Sequence, residues 1–173
     1  NTLFDFKSPN WGSSSGDNNT CDNPNGWNDT GTTGCTYACT ITTTIINPAI
    51  GASVRVQSLV PVTVFVRNVT NAAFLATAIR AVRVNYAIAT AIANVTTKCP
   101  PINWAYIQLY YNETRLIVNE STIRMYYWNP TISNWTLIQN SGVNTVANYV
   151  WANVTHLTVF TGIGELPICT GNL

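Results

Sequence analysis

Acid–base catalysis needs a histidine or carboxylates gathered in one pocket. This chain has seven acids and one histidine in 173 residues. Asp5, Asp17, Asp22 and Asp29 all lie in the first 29 residues. Glu113 and Glu120 each occupy the middle of an Asn-X-Ser/Thr triplet, where an attached glycan would crowd a tuned carboxylate. His156 shares the parity of Val150, Ala152, Val154 and Phe160, and reads as a structural residue on an apolar strand face. A serine triad would need to borrow a distant Asp, and nothing resembles a nucleophile elbow. The expectation is a chain with no catalytic residues and no cofactor.

Metal binding has one weak candidate. The segment Asp17 to Gly26, with Asp29 nearby, is rich in side-chain oxygens of the kind that hold Ca²⁺. Its spacing departs from an EF-hand loop and it lacks the distal bidentate Glu; Asx-rich turns use the same residues. Asp17, Asp22 and Asp29 are therefore read first as loop residues.

Covalent modification is the stronger signal. Asn18, Asn28, Asn68, Asn94, Asn112, Asn119, Asn134 and Asn153 each begin an Asn-X-Ser/Thr triplet. Such triplets accept N-linked glycans only in exported chains and at exposed positions. The chain is only 9% charged, so sugars would supply the solubility that charge does not. The expectation is an extracellular or cell-surface protein whose signal peptide has been removed. Five cysteines, Cys21, Cys35, Cys39, Cys99 and Cys169, fit that compartment as disulfides. Two of the first three are expected to pair, with Cys99–Cys169 favoured for the others; the spacings leave the connectivity open. Cys35-x-x-x-Cys39 lacks the two-residue spacing of zinc ribbons and redox motifs.

A net charge of +1 disfavours nucleic-acid steering, and no run approaches the ~20 apolar residues of a membrane span.

These residues must be held by a scaffold, and composition changes sharply near Thr36. Residues 1–35 comprise a short N-terminal strand and an Asn/Gly/Ser-rich, cysteine-containing loop; residues 36–173 form the main domain. There Thr, Val, Ile, Tyr and Trp predominate, as in half-buried pleated surfaces. Val54, Val56, Val60, Val62, Val64 and Val66 share one parity, with Pro61 marking a bend or edge. A second alternation covers residues 82–92. Further strands are expected at 40–46, 104–111, 122–128, 134–139 and 148–160, and the Ala-rich stretch 72–81 suggests a short helix. Turn signals at Pro100-Pro101, Asn129-Pro130 and Ser141-Gly142 separate them. The fold class is all-β: an antiparallel immunoglobulin-like β-sandwich with an N-terminal extended strand and a disulfide-tied loop.

Two features suit binding. Phe4 and Phe6 alternate with Asp5 and Lys7 in an amphipathic strand that either frays, pairs at home or is donated to a neighbouring subunit, with Leu3, Phe4 and Phe6 as its contact residues. Six Trp and eight Tyr offer either cross-strand packing or flat platforms for sugars; packing is the default for those in strands.

The stretch from Tyr110 to Gly164 resembles a C-terminal β-sandwich segment of many archaeal and some bacterial cell-surface proteins. The likeness lies in Met125-Tyr126-Tyr127-Trp128-Asn129, in Trp135, and in Val150-Trp151-Ala152-Asn153-Val154-Thr155-His156; Leu157-Thr158 departs from the usual Phe-Ser. In overall character the chain also resembles subunits of archaeal extracellular filaments, the thread-type and bundling pili. That resemblance implies homopolymers built by donor-strand complementation, with residues Asn1–Lys7 or the Tyr37–Asn47 strand filling a groove in the next subunit. It also implies contacts with other filaments or surfaces. The rival expectation is a monomeric carbohydrate-binding or adhesion module using exposed aromatics.

Overall fold

A computed structural model describes residues 16, 19, 21, 26–35, 41–58, 62–98 and 102–168. The chain divides into two units, Asn1–Ile41 and Thr42–Leu173. In the first, Cys21 and Cys35 form a disulfide across 14 residues. A closure of that length restricts the unfolded chain by about 3 kcal/mol. Beside it, Asp29 is buried and its carboxylate accepts from the Asn19 backbone N–H (2.8 Å), Asn19 Nδ2 (2.7 Å) and the Trp27 indole (2.8 Å). Three donors offset the cost of taking a carboxylate out of water. Cys39, Cys99 and Cys169 lie outside the described residues, and with them the expected Cys99–Cys169 bridge.

The second unit is all-β with one helix. Its strands are β1 (Ile41–Asn47), β2 (Ala52–Ser58), β3 (Val64–Asn68), β4 (Tyr86–Ile88), β5 (Ala93–Thr97) and β6 (Trp104–Tyr110), then β7 (Arg124–Asn129), β8 (Asn134–Leu137), β9 (Ser141–Asn144), β10 (Tyr149–Val154) and β11 (Val159–Glu165). They form a five-stranded sheet in the order β1-β2-β6-β10-β9 and a second sheet in the order β3-β5-β11-β7-β8, with β4 also on β11. The two layers make a sandwich around one core. Period-2 alternation sends Val54 and Val56 of β2, Ile107 and Leu109 of β6, and Val150 and Ala152 of β10 into it. Val64, Val66, Val95, Met125 and Phe160 meet them from the second sheet.

Helix α1 (Ala72–Arg80) lies on the outer side of that second sheet. Asn71 caps it, accepting from the Phe74 N–H at 2.9 Å. Phe74 and Leu75 pack against a small second core of Ala78, Ile92, Trp128, Trp135 and Ile163. Trp128 and Trp135 are register partners on β7 and β8, their rings edge-to-face at 5.3 Å. The Trp135 indole donates to the Ala78 carbonyl at 2.7 Å, tying the helix to the sheet.

Strand β11 is therefore covered on both faces. Phe160, Gly162 and Gly164 face the sandwich core, while Val159 and Ile163 face α1. A Cβ at Gly162 would lie 2.8 Å from Thr90 Cγ2 and from Val150 Cγ1, so only hydrogen fits there. Thr90 belongs to a bulge. Ala89 pairs with Gly162 and Ala93 with Phe160, so three residues stand opposite Thr161 alone. Side chains complete the interrupted ladder: Gly162 N–H donates to Thr90 Oγ1 at 2.8 Å, and Thr161 Oγ1 to the Ala91 carbonyl at 3.2 Å.

Two expected strands are thereby corrected. The run 82–92 contains only the short β4, because the bulge ends it. The run 148–160 is two strands, because the chain bends at Thr155-His156 and crosses from one sheet to the other. The valine alternation around Pro61 is likewise shared between sheets, with Val54 and Val56 in one and Val64 and Val66 in the other. All four point into the same core.

Gly162→Ala is expected to destabilise the domain by about 1–3 kcal/mol through overpacking, seen as a lower urea midpoint at unchanged slope. A second expectation concerns Tyr111, a buried phenol donating to Glu120 Oε1 at 2.7 Å. Burial first, and the Glu120 hydrogen bond second, push its pKa well above the usual tyrosine value. Below about pH 10 both folded and unfolded chains keep this proton; above it the unfolded chain loses the proton first, so stability falls as pH climbs. Urea unfolding of Tyr111→Phe at increasing alkaline pH should show a shallower decline than the parent protein.

Candidate functional site

Strand β4 presents an unfinished sheet edge. Ala89 N–H donates to the Gly162 carbonyl and Leu166 N–H to the Asn85 carbonyl, which places Asn85, Ala87 and Ala89 in the hydrogen-bonded rows with β11. Antiparallel alternation then turns the backbone groups of Tyr86 and Ile88 the other way, where the Tyr86 N–H closes a turn on the Arg83 carbonyl at 3.1 Å and the edge is left to the Tyr86 carbonyl and to Ile88. Next to the neighbouring β5 lies β3, but β3 ends at Asn68 and the chain departs into α1. Among the described residues no strand fills the lane beside β4. An open groove of about 470 Å³ runs there, lined by Ile79 and Val82 at the helix end, by Ile88 and Ile92, and by Ile117. Ile79 is 59% exposed and Ile117 is 63% exposed, so the groove has apolar shoulders facing solvent. The edge is three residues long, or about 10 Å.

The outer face of the five-stranded sheet is the second surface. Along β6 the residues opposite the core-facing Ala105, Ile107 and Leu109 are Trp104, Tyr106, Gln108 and Tyr110. On β10 they are Tyr149, Trp151 and Asn153. Register pairs Tyr110 with Tyr149, Gln108 with Trp151, and Tyr106 with Asn153. The Tyr110 and Tyr149 rings lie 5.3 Å apart, and Tyr106 stacks on Trp151 at 5.9 Å with 29° between planes. The Arg55 guanidinium rests over Trp104 at 5.4 Å and over Tyr106 at 5.6 Å. Burial, followed by the neighbouring Tyr149 phenol, raises the Tyr106 pKa. Gly142, the β9 partner of Trp151, lets the indole lie flat: a Cβ there would meet the ring at 3.0 Å. The result is a half-exposed aromatic shelf with amide and guanidinium groups at its rim.

No protein-family model matches the chain, and no curated protein matches its sequence. The chemistry of its surfaces is accordingly the main guide to its role.

Of the eight glycan-acceptor candidates, Asn28, Asn68, Asn112, Asn119, Asn134 and Asn153 are exposed, Asn94 is half-buried and Asn18 is outside the described residues. Asn112 and Asn119 each accept through Oδ1 from the hydroxyl two residues on, at 2.7 and 3.0 Å. The amphipathic segment with Leu3, Phe4 and Phe6 lies outside the described residues, as do Asp17 and Asp22. Asp29 is committed to the Asn19 and Trp27 donors. Among the described residues no three His, Cys, Asp or Glu side chains gather in a metal-binding group. No helix among them is long and apolar enough to cross a membrane.

His156 departs from its expected place on a strand face. It sits in the bend after β10, exposed, with its ring edge-on to Tyr127 at 4.9 Å. It lines an open cleft of about 650 Å³ with Trp104, Leu137, Ile138 and Asn153, and no carboxylate among the described residues borders that cleft.

The shelf does have a sequence signal: Trp104, Tyr106, Gln108 and Tyr110 recur at period 2 within one expected strand. The open lane had none, since it depends on where a distant strand ends. Gly142→Val is expected to lift the Trp151 ring off Tyr106, weakening the near-UV circular dichroism while the far-UV spectrum stays unchanged.

Proposed function

We propose that this chain is a structural subunit of a glycosylated extracellular filament, assembling by donation of an N-terminal strand to the next copy. The reading assigns it no catalysis, no cofactor and no nucleic-acid partner; its partner is itself. The observation that carries it is the open lane beside β4, a sheet edge with apolar walls on which no described strand pairs, although the Tyr86 N–H is taken by the Arg83 carbonyl. Such an edge is a template for another strand. The segment Leu3-Phe4-Asp5-Phe6-Lys7 has the matching pattern, with Phe4 and Phe6 on one side and charges between. The Cys21–Cys35 disulfide fits an oxidising, extracellular setting. The acceptor asparagines are mostly exposed, as glycan attachment requires.

Magnitudes limit what the lane alone contributes. Burying two Phe side chains is worth about 3–6 kcal/mol. Immobilising one subunit on another costs about 4–15 kcal/mol. The strand therefore specifies the contact, and flanking apolar residues such as Ile79 and Ile117 must add to it for a stable polymer.

A second reading rests on the aromatic shelf: a surface module that recognises carbohydrate by stacking sugar rings on Trp104, Tyr106 and Trp151. It predicts single particles with saturable sugar binding.

Electron microscopy of the protein shed from its cells decides between them. Regular filaments with a repeat the size of one sandwich are expected, and Phe4→Asp/Phe6→Asp should give folded but unassembled protein. Single particles from the native source would overturn the filament reading. Unimpaired filaments from the double variant would overturn the N-terminal segment as donor.

A further inference from the structure

Asn153 lies on the aromatic shelf itself. We propose that the N-linked glycan of Asn153 folds back over this shelf, its first sugar rings lying against Tyr106 and Trp104 with Trp151 alongside. The inference rests on the reading of the Asn-X-Ser/Thr triplets as glycan acceptors and adds where one glycan goes and what holds it.

Register places Asn153 directly opposite Tyr106 on the outer face, where facing Cβ atoms are about 4.5–5.5 Å apart. Trp151 is two residues back along the same strand and the same face. Trp104 and Asn153 both line the open cleft of about 650 Å³, so the bond from Nδ2 begins at the edge of a ready space. Asn153 and Thr155 are exposed, while the Asn153 backbone N–H is bound to the Asn140 carbonyl at 3.0 Å, which fixes the attachment point.

The other strand-borne acceptors lack this setting. Asn68 faces Ala93, Asn94 faces Arg67 and Val159, and Asn134 faces Asn129. Asn153 alone among the described strand acceptors has a ring as its register partner.

The chemistry of the shelf suits a saccharide. A pyranose has an apolar face of C–H bonds and a polar rim of hydroxyls. Flat aromatic rings with electron-rich faces meet the first; the Arg55 guanidinium over Trp104 and Tyr106, Gln108 on the same sheet face and Asn140 in the cleft lining supply polar groups for the second. A folded-back glycan also covers an apolar sheet face that would otherwise promote association.

The test uses the native glycoprotein. Glycopeptide mass spectrometry first reads occupancy at Asn153. Iodide quenching of tryptophan fluorescence and thermal melting then compare Asn153→Gln and Thr155→Ala, which remove the same glycan by different substitutions, with Asn119→Gln, which removes one from a turn. Both Asn153-site variants are expected to raise the quenchable tryptophan fraction and to lower Tm by about 2–4 °C, with Asn119→Gln unchanged in both. An unoccupied Asn153 overturns the glycan premise. Occupancy with identical quenching in all three variants overturns the fold-back while leaving glycosylation standing. Saturable binding of free oligosaccharide by the fully glycosylated protein, read at the same tryptophans, would give the shelf to an external sugar instead.

Discussion

Burial of β11 on both faces is the constraint from which much of this domain follows. A strand in that position has no solvent side on which to place polar or bulky residues. Toward the sandwich core it carries Phe160 and then two glycines, leaving room for Val150, Ile123 and Val118 to reach across. Toward α1 it carries Val159 and Ile163, which need an apolar cover; the helix and the Trp128–Trp135 pair supply one. The tight approach at Gly162 coincides with the bulge, where Thr90 and Thr161 replace lost backbone pairing with hydroxyls. The bulge in turn splits one edge of β11 between β5 and β4. The open lane is thus a consequence of how the centre is packed.

The two sheets meet their surroundings differently. The second sheet has its outer face covered by α1 and offers an edge; the first has a half-exposed aromatic face. Proteins usually blunt edges and avoid large exposed apolar patches, because both invite association. A chain with 9% charged residues has little electrostatic defence against it. Under the proposed filament reading, use of the edge for polymerisation, together with glycans over the remaining surface, would answer both problems within one physical scheme.

Aromatic residues show how far composition carries. Trp128 and Trp135 are buried cross-strand partners that hold a helix in place. Trp104 and Trp151 lie on strands of similar appearance, yet face outward over Gly142 and beneath Arg55. Nothing within each short segment separates the two pairs. The difference is that α1 packs on one sheet and not on the other.

The sequence by itself determined the β class, the helix near residues 72–81 and the inward parity of the valines. Those features are local: side-chain alternation, capping by Asn71 and polar turn positions are written in neighbouring residues. It also marked the N-terminal loop as disulfide-tied, which Cys21–Cys35 fulfils. Only the tertiary structure decided that residues 82–92 hold one short strand, that the chain changes sheets at Thr155-His156, and that β4 is left with an open side. Those outcomes depend on which distant strand comes to lie beside which, and on whether a Cβ fits between them. Contacts of that kind join residues far apart in sequence, so no window of neighbouring residues contains them.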